Sequence, residues 1–290
     1  MRRVAAALVA LVLLGCSDDT EPEVLLDLGD RAPGEVVALR ADGEAIEWLD
    51  RTAGQVLRLE PGAEPTIVAS VDVGTEGEQR GLLGQTVLDG RRFAAWTEPD
   101  DLRLVVGELL DAGAPRIVWS GTTTETRAVG GHLRSLDGRL LLGLGELTGW
   151  AQEHGSGALV TLDPDGPPEQ DPAVVSDGWN NPFAFVVADD GTILVADNTS
   201  VGGRERLAAI ADDDVATELP APERAPSAIA VLDDGRIAVC GFLDGELRAY
   251  EVGDDGFERA GTPGGCRSAV TVTASGRTVV ATSDALLALD

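Results

Sequence analysis

The chain has 290 residues, a hydrophobic content of 43% and a formal net charge of −28 at pH 7. This acidic balance argues against nucleic acid or an anionic membrane surface as a partner, because phosphate recognition needs concentrated basic charge. All 22 basic residues are arginine, so Schiff-base chemistry and acid/base chemistry by lysine are excluded.

The first 16 residues resemble a bacterial lipoprotein signal. Two arginines precede an apolar run from Val4 to Leu14, and residues 13–16 read Leu-Leu-Gly-Cys, as in a lipobox. The run is shorter than the ~20 residues of a transmembrane helix. We therefore expect a signal peptide over residues 1–15, lipidation of Cys16, a tether over residues 16–22 and an extracytoplasmic location in the cell envelope. An ordinary secretory signal followed by a free cysteine is the alternative.

A hairpin unit recurs along the rest of the chain. In residues 177–198, two apolar, β-branched runs flank an Asp-Asp-Gly turn. Glycines in equivalent turns lie 47, 48, 53, 44 and 41 residues apart. They are Gly43, Gly90, Gly138, Gly191, Gly235 and Gly276. This spacing is close to the roughly 40 to 50 residues of a four-stranded propeller blade. It predicts an all-β fold, a six-bladed β-propeller over residues 23–290; an all-β sandwich is the alternative.

Each unit is predicted to contain four strands, with the first strand innermost. The first unit fits strands at 35–40, 44–49, 55–60 and 66–71. The last unit offers only three, at 267–273, 277–281 and 285–289, which would leave an open edge. Residues 23–28 form an unassigned apolar segment at the other end of the chain. We therefore predict that this N-terminal strand closes the last blade.

The loops that lead into the inner strands are expected to open on one face, around the central channel. Such a concave place suits a small-molecule ligand. These loops contain Gln79 and Arg80, Glu125 and Arg127, Asp177 to Asn181, Glu223 and Arg224, and Arg267 with Ser268.

Several segments resemble the glucose/sorbosone dehydrogenase family, in consistent order from residue 36 to residue 290. They read EQRGLLG at 78–84, GGHL at 130–133, LDGRLLLGLGE at 136–146, AQEHGSGALVTLDPDG at 151–166 and GWNNPF at 178–183. The resemblance implies a six-bladed propeller that oxidises sugars with pyrroloquinoline quinone and calcium.

The family's functional residues carry over only in part. Gln79 matches a cofactor-contacting glutamine, Asn181 the asparagine of the family's RNP motif, and Arg267 one of two cofactor arginines. The position of the family's histidine base is Ala128. The arginine of RNP is Asn180, and the cofactor lysine falls at Asp244. The resemblance thus implies a retained framework without the proton acceptor and without most of the cofactor's cationic partners.

The chain has two histidines, and His132 is the candidate for a substitute base. It lies four residues beyond Ala128 on the predicted inner strand, so alternation would place both side chains on the same side. At ~3.3 Å per residue, His132 would lie about 13 Å deeper in the channel. The alternative is a hydrogen-bonded histidine of the channel wall. No HExxH, CxxC or GxSxG motif supports a zinc protease, a structural zinc site or a serine hydrolase.

Two cysteines are predicted to face each other on neighbouring blades. Cys240 ends a second strand, and Cys266 begins the inner strand of the next blade. An envelope location permits a disulfide bond between them, and two buried free thiols are the alternative.

Three functions remain open from the sequence. The first is a ligand-binding or catalytically impaired propeller of the dehydrogenase type, and the second is an active quinone-dependent aldose dehydrogenase. The third is a calcium-dependent lactonase of the gluconolactonase type, with Asp177, Asn180 and Asn181 as metal ligands. A sugar or another small molecule is the expected ligand in each case.

Overall fold

A computed structural model describes residues 21–29, 35–146, 149–199, 205–210, 215–219, 225–253 and 256–289. The signal peptide, Cys16, Glu223 and Arg224 lie outside these residues. Among the described residues, no helix has the length and apolarity needed to cross a membrane.

Six four-stranded antiparallel sheets surround the channel, which confirms the predicted six-bladed β-propeller. Blade 1 contains β2 (Val36–Asp42), β3 (Ala45–Asp50), β4 (Gln55–Leu59) and β5 (Thr66–Ser70). Blade 2 contains β6 (Leu82–Leu88), β7 (Arg91–Thr97), β8 (Arg103–Leu109) and β9 (Arg116–Thr123). Blade 3 contains β10 (Gly130–Leu136), β11 (Arg139–Leu144), β12 (Gly157–Leu162) and β13 (Ala173–Trp179). A short helix, α1 (Gly149–His154), precedes β12.

The remaining blades follow the same order. Blade 4 contains β14 (Ala184–Val187), β15 (Ile193–Asp197), β16 (Arg206–Ile210) and β17 (Val215–Glu218). Blade 5 contains β18 (Pro226–Val231), β19 (Ile237–Gly241), β20 (Glu246–Gly253) and β21 (Gly256–Gly265). Blade 6 contains β22 (Ala269–Val272), β23 (Thr278–Ala281), β24 (Ala285–Leu289) and β1 (Glu23–Asp27).

The N-terminal strand closes blade 6, as the sequence predicts. β1 pairs antiparallel with β24, and Glu23 lies opposite Ala288 in the register. Outside the ladder, a guanidinium nitrogen of Arg277 lies 2.5 Å from a carboxylate oxygen of Glu23. This pairing covers the edge that β24 would otherwise leave open.

Aliphatic and aromatic side chains from facing blades fill the space between them. Between blades 2 and 3, for example, Leu83, Phe93 and Val106 pack against Leu133 and Leu142, and all five are buried. A similar cluster joins blade 6 to blade 1 and so closes the ring. Because successive strand residues point to opposite faces, each blade can offer one apolar face to each neighbour.

The two cysteines beyond Cys16 form a disulfide bond between blades 5 and 6. Cys240 lies on β19, and Cys266 directly follows β21, with their Cα atoms 5.1 Å apart. Both side chains are fully buried in the cluster that joins these blades.

Candidate functional site

A cavity of about 120 Å³ lies at the end of the channel where the loops enter the inner strands. We call it the upper cavity. It is lined by Val37, Arg51, Glu78, Gln79, Asn181, Phe183, Asn198, Ser227, Phe242 and Ser268. The structure therefore brings Gln79, Asn181 and Ser268 together from three of the predicted loops.

Gln79 holds the loop before blade 3 in place. Its side-chain Oε1 accepts a hydrogen bond from the backbone N–H of Ala128 at 2.5 Å. The backbone N–H groups of Glu78 and Gln79 both donate to the carbonyl of Thr126, at 3.2 Å each. The side-chain oxygen of Gln79, the residue that the resemblance assigns to cofactor contact, is thus bonded within the protein.

Ala128 is a buried residue in the left-handed backbone conformation. Its φ is 51°, and its side chain is 0% exposed. The position of the family's base is therefore occupied by a methyl group that the surrounding protein covers. It presents no proton acceptor to the upper cavity.

The regular strand that the predicted alternation between Ala128 and His132 assumes is not present. Strand β10 begins at Gly130, and its pairing with β11 shifts register between Gly130 and Leu133. Gly130 and Gly131 both have positive φ, at 76° and 94°, so this part of the strand is not regularly pleated. This irregular pair of glycines therefore uncouples the direction of His132 from that of Ala128.

His132 is a buried, hydrogen-bonded histidine of blade 3. Its Nε2 lies 3.1 Å from the carbonyl oxygen of Phe185, and its ring meets the Phe185 ring edge-on, with 4.8 Å between centroids. Burial, followed by the nearby Arg134 charge, holds the pKa of His132 well below its ordinary value. The ring is neutral at physiological pH, and it is absent from the lining of the upper cavity.

Asp197, at the end of β15, positions the loop that carries Asn181. Its Oδ1 accepts the backbone N–H groups of Asn180 and Asn181 at 3.0 and 2.9 Å. Its Oδ2 accepts Nδ2 of Asn180 at 2.9 Å and Nε of Arg206 at 3.2 Å. Burial raises the pKa of Asp197, and these hydrogen bonds oppose that rise. The aspartate lies in the repeating hairpin of the sequence, but no local pattern indicates its partners.

Asn181 lines the upper cavity and carries a buried hydrogen-bond acceptor without a partner. Its side chain is 2% exposed, and its Oδ1 has no partner among the described groups. Buried polar atoms are nearly always hydrogen-bonded, and leaving one unpaired costs about 1 to 3 kcal/mol. The Oδ1 of Asn181 lies beside Gly145, so this unpaired acceptor is enclosed by the protein next to the cavity.

The other predicted loop residues have structural partners. Nε of Arg267 donates to the carbonyl of Phe242 at 3.1 Å, and Arg267 is absent from the lining of the upper cavity. Arg80 is buried, and its guanidinium donates to Thr124 and to the carbonyl of Glu76. Glu125 accepts Nε2 of Gln152 at 3.3 Å. These side chains fasten neighbouring loops to one another.

The three oxygen ligands considered for calcium do not converge on the upper cavity. Asn181 lines it, whereas Nδ2 of Asn180 is bonded to Asp197, and Asp177 is exposed on β13. Within the described part of the chain, no three His, Cys, Asp or Glu side chains are grouped as a metal site.

The described residues also do not fit pyrroloquinoline quinone. The group carries three carboxylates, while the upper cavity is lined by one cation, Arg51, and one anion, Glu78.

No protein-family model matches the chain, and no curated protein matches its sequence. Solved structures do match its fold. An oxidoreductase (glucose dehydrogenase) from Thermus thermophilus is 19% identical, with a TM-score of 0.75 over 93% of this chain and 99% of that chain. The PQQ-bound form of an aldose sugar dehydrogenase from Streptomyces coelicolor is 19% identical, with a TM-score of 0.73 over 93% and 97%.

A gluconolactonase from Xanthomonas campestris is 15% identical, with a TM-score of 0.63 over 91% of this chain and 89% of that chain. At these identities the similarity is one of fold. The expected resemblance to sugar dehydrogenases is thereby confirmed at that level, and the chain is a six-bladed β-propeller with the fold of the quinoprotein sugar dehydrogenases and gluconolactonases.

Proposed function

We propose that this protein is a lipid-anchored, extracytoplasmic propeller that binds a neutral, polar small molecule of the sugar class in its upper cavity and does not oxidise it. The observation that carries the proposal is the covered methyl group of Ala128 at the position of the family's base. A positioned general base contributes about 10²- to 10⁴-fold in rate, or about 3 to 5 kcal/mol of barrier lowering.

The carboxylate that lines the upper cavity does not replace this base well. Arg127 donates a hydrogen bond to Glu78, which lowers the pKa of that carboxyl. A carboxylate with a lowered pKa accepts a proton less readily near neutral pH. His132 lies elsewhere and is hydrogen-bonded to Phe185.

The chemistry of the upper cavity favours a neutral ligand with hydroxyl groups. Amides and hydroxyls from Asn181, Asn198, Ser227 and Ser268 share the lining with two phenylalanine rings. A ligand's hydroxyl groups can exchange hydrogen bonds with these polar side chains, while aromatic rings can cover the apolar face of a small ring.

A calorimetric titration with pyrroloquinoline quinone tests the proposal. With calcium present, we expect weak binding or none, because the cavity supplies too few cations for three carboxylates. We also expect no dye reduction with glucose or oligosaccharides. Tight quinone binding with turnover would contradict the proposal and support an active aldose dehydrogenase. Calcium-dependent opening of a lactone would instead support the gluconolactonase-type alternative.

Replacement of Cys16 by serine tests the anchor. We expect Cys16→Ser to move the protein from the detergent phase to the aqueous phase in a phase-partition experiment, because the lipid would have no thiol to join. The unchanged protein, labelled with a radioactive fatty acid, serves as the control. A variant that lacks lipid yet stays in the detergent phase would show that the interpretation of the N-terminus is wrong.

A further inference from the structure

A second and larger cavity lies at the other end of the channel, where the inner strands end. We call it the lower cavity, and its volume is about 990 Å³. Its polar lining includes Arg40, Gln85, Arg134, Asp189 and Asp233, from five different blades. A cavity of this size suits a small organic ligand.

Arg134 is a cation without a carboxylate partner in this cavity. Its Nη1 donates to the carbonyl of the preceding residue, Leu133, at 3.1 Å, and among the described residues it forms no ion pair. Burial, together with the charge of Arg40, lowers the pKa of Arg134 to about 10, so the side chain stays protonated at neutral pH. An unpaired cation at a cavity wall is unexpected in a chain with a net charge of −28.

The neighbouring arginines differ from Arg134 because they converge on a buried carboxylate. Arg92 contacts both oxygens of Glu47, at 2.7 and 2.8 Å, and Arg40 and Arg58 each lie 3.0 Å from one of them. Burial alone would raise the pKa of Glu47, but these contacts lower it to about 2. The carboxylate of Glu47 is therefore already paired with three guanidinium groups and is not available to Arg134.

Gln85 adds an unused donor to the same wall. Its Oε1 accepts Nη1 of Arg92 at 3.0 Å, which fixes the orientation of the amide. Its Nε2 is buried and has no partner among the described groups, and the side chain is 1% exposed. Arg134 and Gln85 thus offer a cation and an amide N–H with no acceptor, which is the donor set that a carboxylate needs.

The mouth of the lower cavity has the opposite charge. Asp189 and Asp233 lie in exposed turns at the ends of the inner strands of blades 4 and 5. Carboxylates at the mouth accept hydroxyl donors and repel a multiply charged anion. A ligand that suits both ends has one carboxylate and several hydroxyl groups.

We propose that the lower cavity binds a small polyhydroxylated monocarboxylate, with its carboxylate against Arg134 and Gln85 and its hydroxyl groups toward Asp189 and Asp233. This site is separate from the upper cavity. It does not depend on the function proposed for that cavity.

Calorimetry on the full chain in detergent tests this site, with D-gluconate, D-glucose and inorganic phosphate as probes. We expect gluconate to bind more tightly than either of the others. Both Arg134→Gln and Gln85→Glu should weaken gluconate binding by at least about tenfold, equal to about 1.4 kcal/mol. Gln85→Glu keeps an acceptor for Arg92, so it removes the donor without breaking that contact. Arg139→Gln is the matched control, because Arg139 is exposed on the adjacent strand β11.

The outcomes separate this proposal from its alternatives. Gluconate binding that is unchanged in both Arg134→Gln and Gln85→Glu would overturn it, as would equal binding of glucose or of phosphate. Thermal melts of each variant without ligand establish that it is folded. If Arg134→Gln does not fold, Gln85→Glu decides the result. An effect of Arg139→Gln as large as that of Arg134→Gln would indicate a general charge effect and would also overturn the site.

Discussion

Deletion of residues 23–28 is expected to destabilise the propeller on the order of 5 kcal/mol, because burial of a leucine side chain contributes about 1.5 to 3 kcal/mol. The segment contributes Leu25, Leu26 and Leu28 to the cluster that joins blade 6 to blade 1. The deletion would also leave β24 as an unpaired edge. We therefore expect a lower Tm in a thermal melt, together with concentration-dependent association in gel filtration.

Val24→Thr is the control for this deletion. Val24 lies on the same strand but is 61% exposed, so its substitution should change stability by no more than about 0.5 kcal/mol. An unchanged Tm after the deletion would show that β1 contributes nothing to closure, despite its pairing with β24.

Asp197→Ala is expected to cost about 3 to 5 kcal/mol, since removal of one partner from a buried ion pair leaves the other charge uncompensated. The substitution would also leave the N–H groups of Asn180 and Asn181 without their acceptor. We expect a Tm lower by roughly 5 to 15 °C. Because Asn181 would lose its fixed position, ligand binding in the upper cavity should weaken as well.

Asp111→Ala is the control for Asp197→Ala, because Asp111 is exposed in the turn between β8 and β9. Its Tm should stay close to that of the unchanged protein. If Asp197→Ala melts at the same temperature as this control, the hydrogen bonds to Asp197 do not hold the loop, and another group must position Asn181.

The fold could be predicted because its signal is local and repeated. The six glycines that defined the repeat all have φ between 65° and 88°, a range that other residues adopt only with strain. Each marks a tight turn between an inner strand and its neighbour. The closing strand followed from the same reasoning, since the last unit was one strand short. The observed strand bounds lie within a few residues of the predicted ones.

The candidate site could be predicted only in part. Gln79 and Asn181 were placed correctly near each other because both lie in loops that lead into inner strands. The relation between Ala128 and His132 could not be predicted, because two glycines with positive φ between them interrupt the alternation on which the prediction relied. Strand periodicity assumes a regular pleat, and an irregularity in the ladder removes that assumption.

Contacts between blades could not be predicted from the sequence. Glu47 and Arg92 are 45 residues apart, and nothing in the surrounding pattern pairs one with the other. The unpaired Nε2 of Gln85 could not be predicted either, because the orientation of its amide depends on Arg92, which Glu47 of blade 1 holds in place. Such partners depend on the packing of whole sheets, which local periodicity does not encode.

The position of β1 in the ring determines where a lipid anchor would join the propeller. β1 is the outermost strand of blade 6, so Glu23 lies at the rim of the propeller and not at either mouth of the channel. A lipid at Cys16 would therefore attach the propeller to the membrane at its rim. Both mouths would then open sideways into the surrounding fluid, where solutes could diffuse into either one without passing between the protein and the membrane.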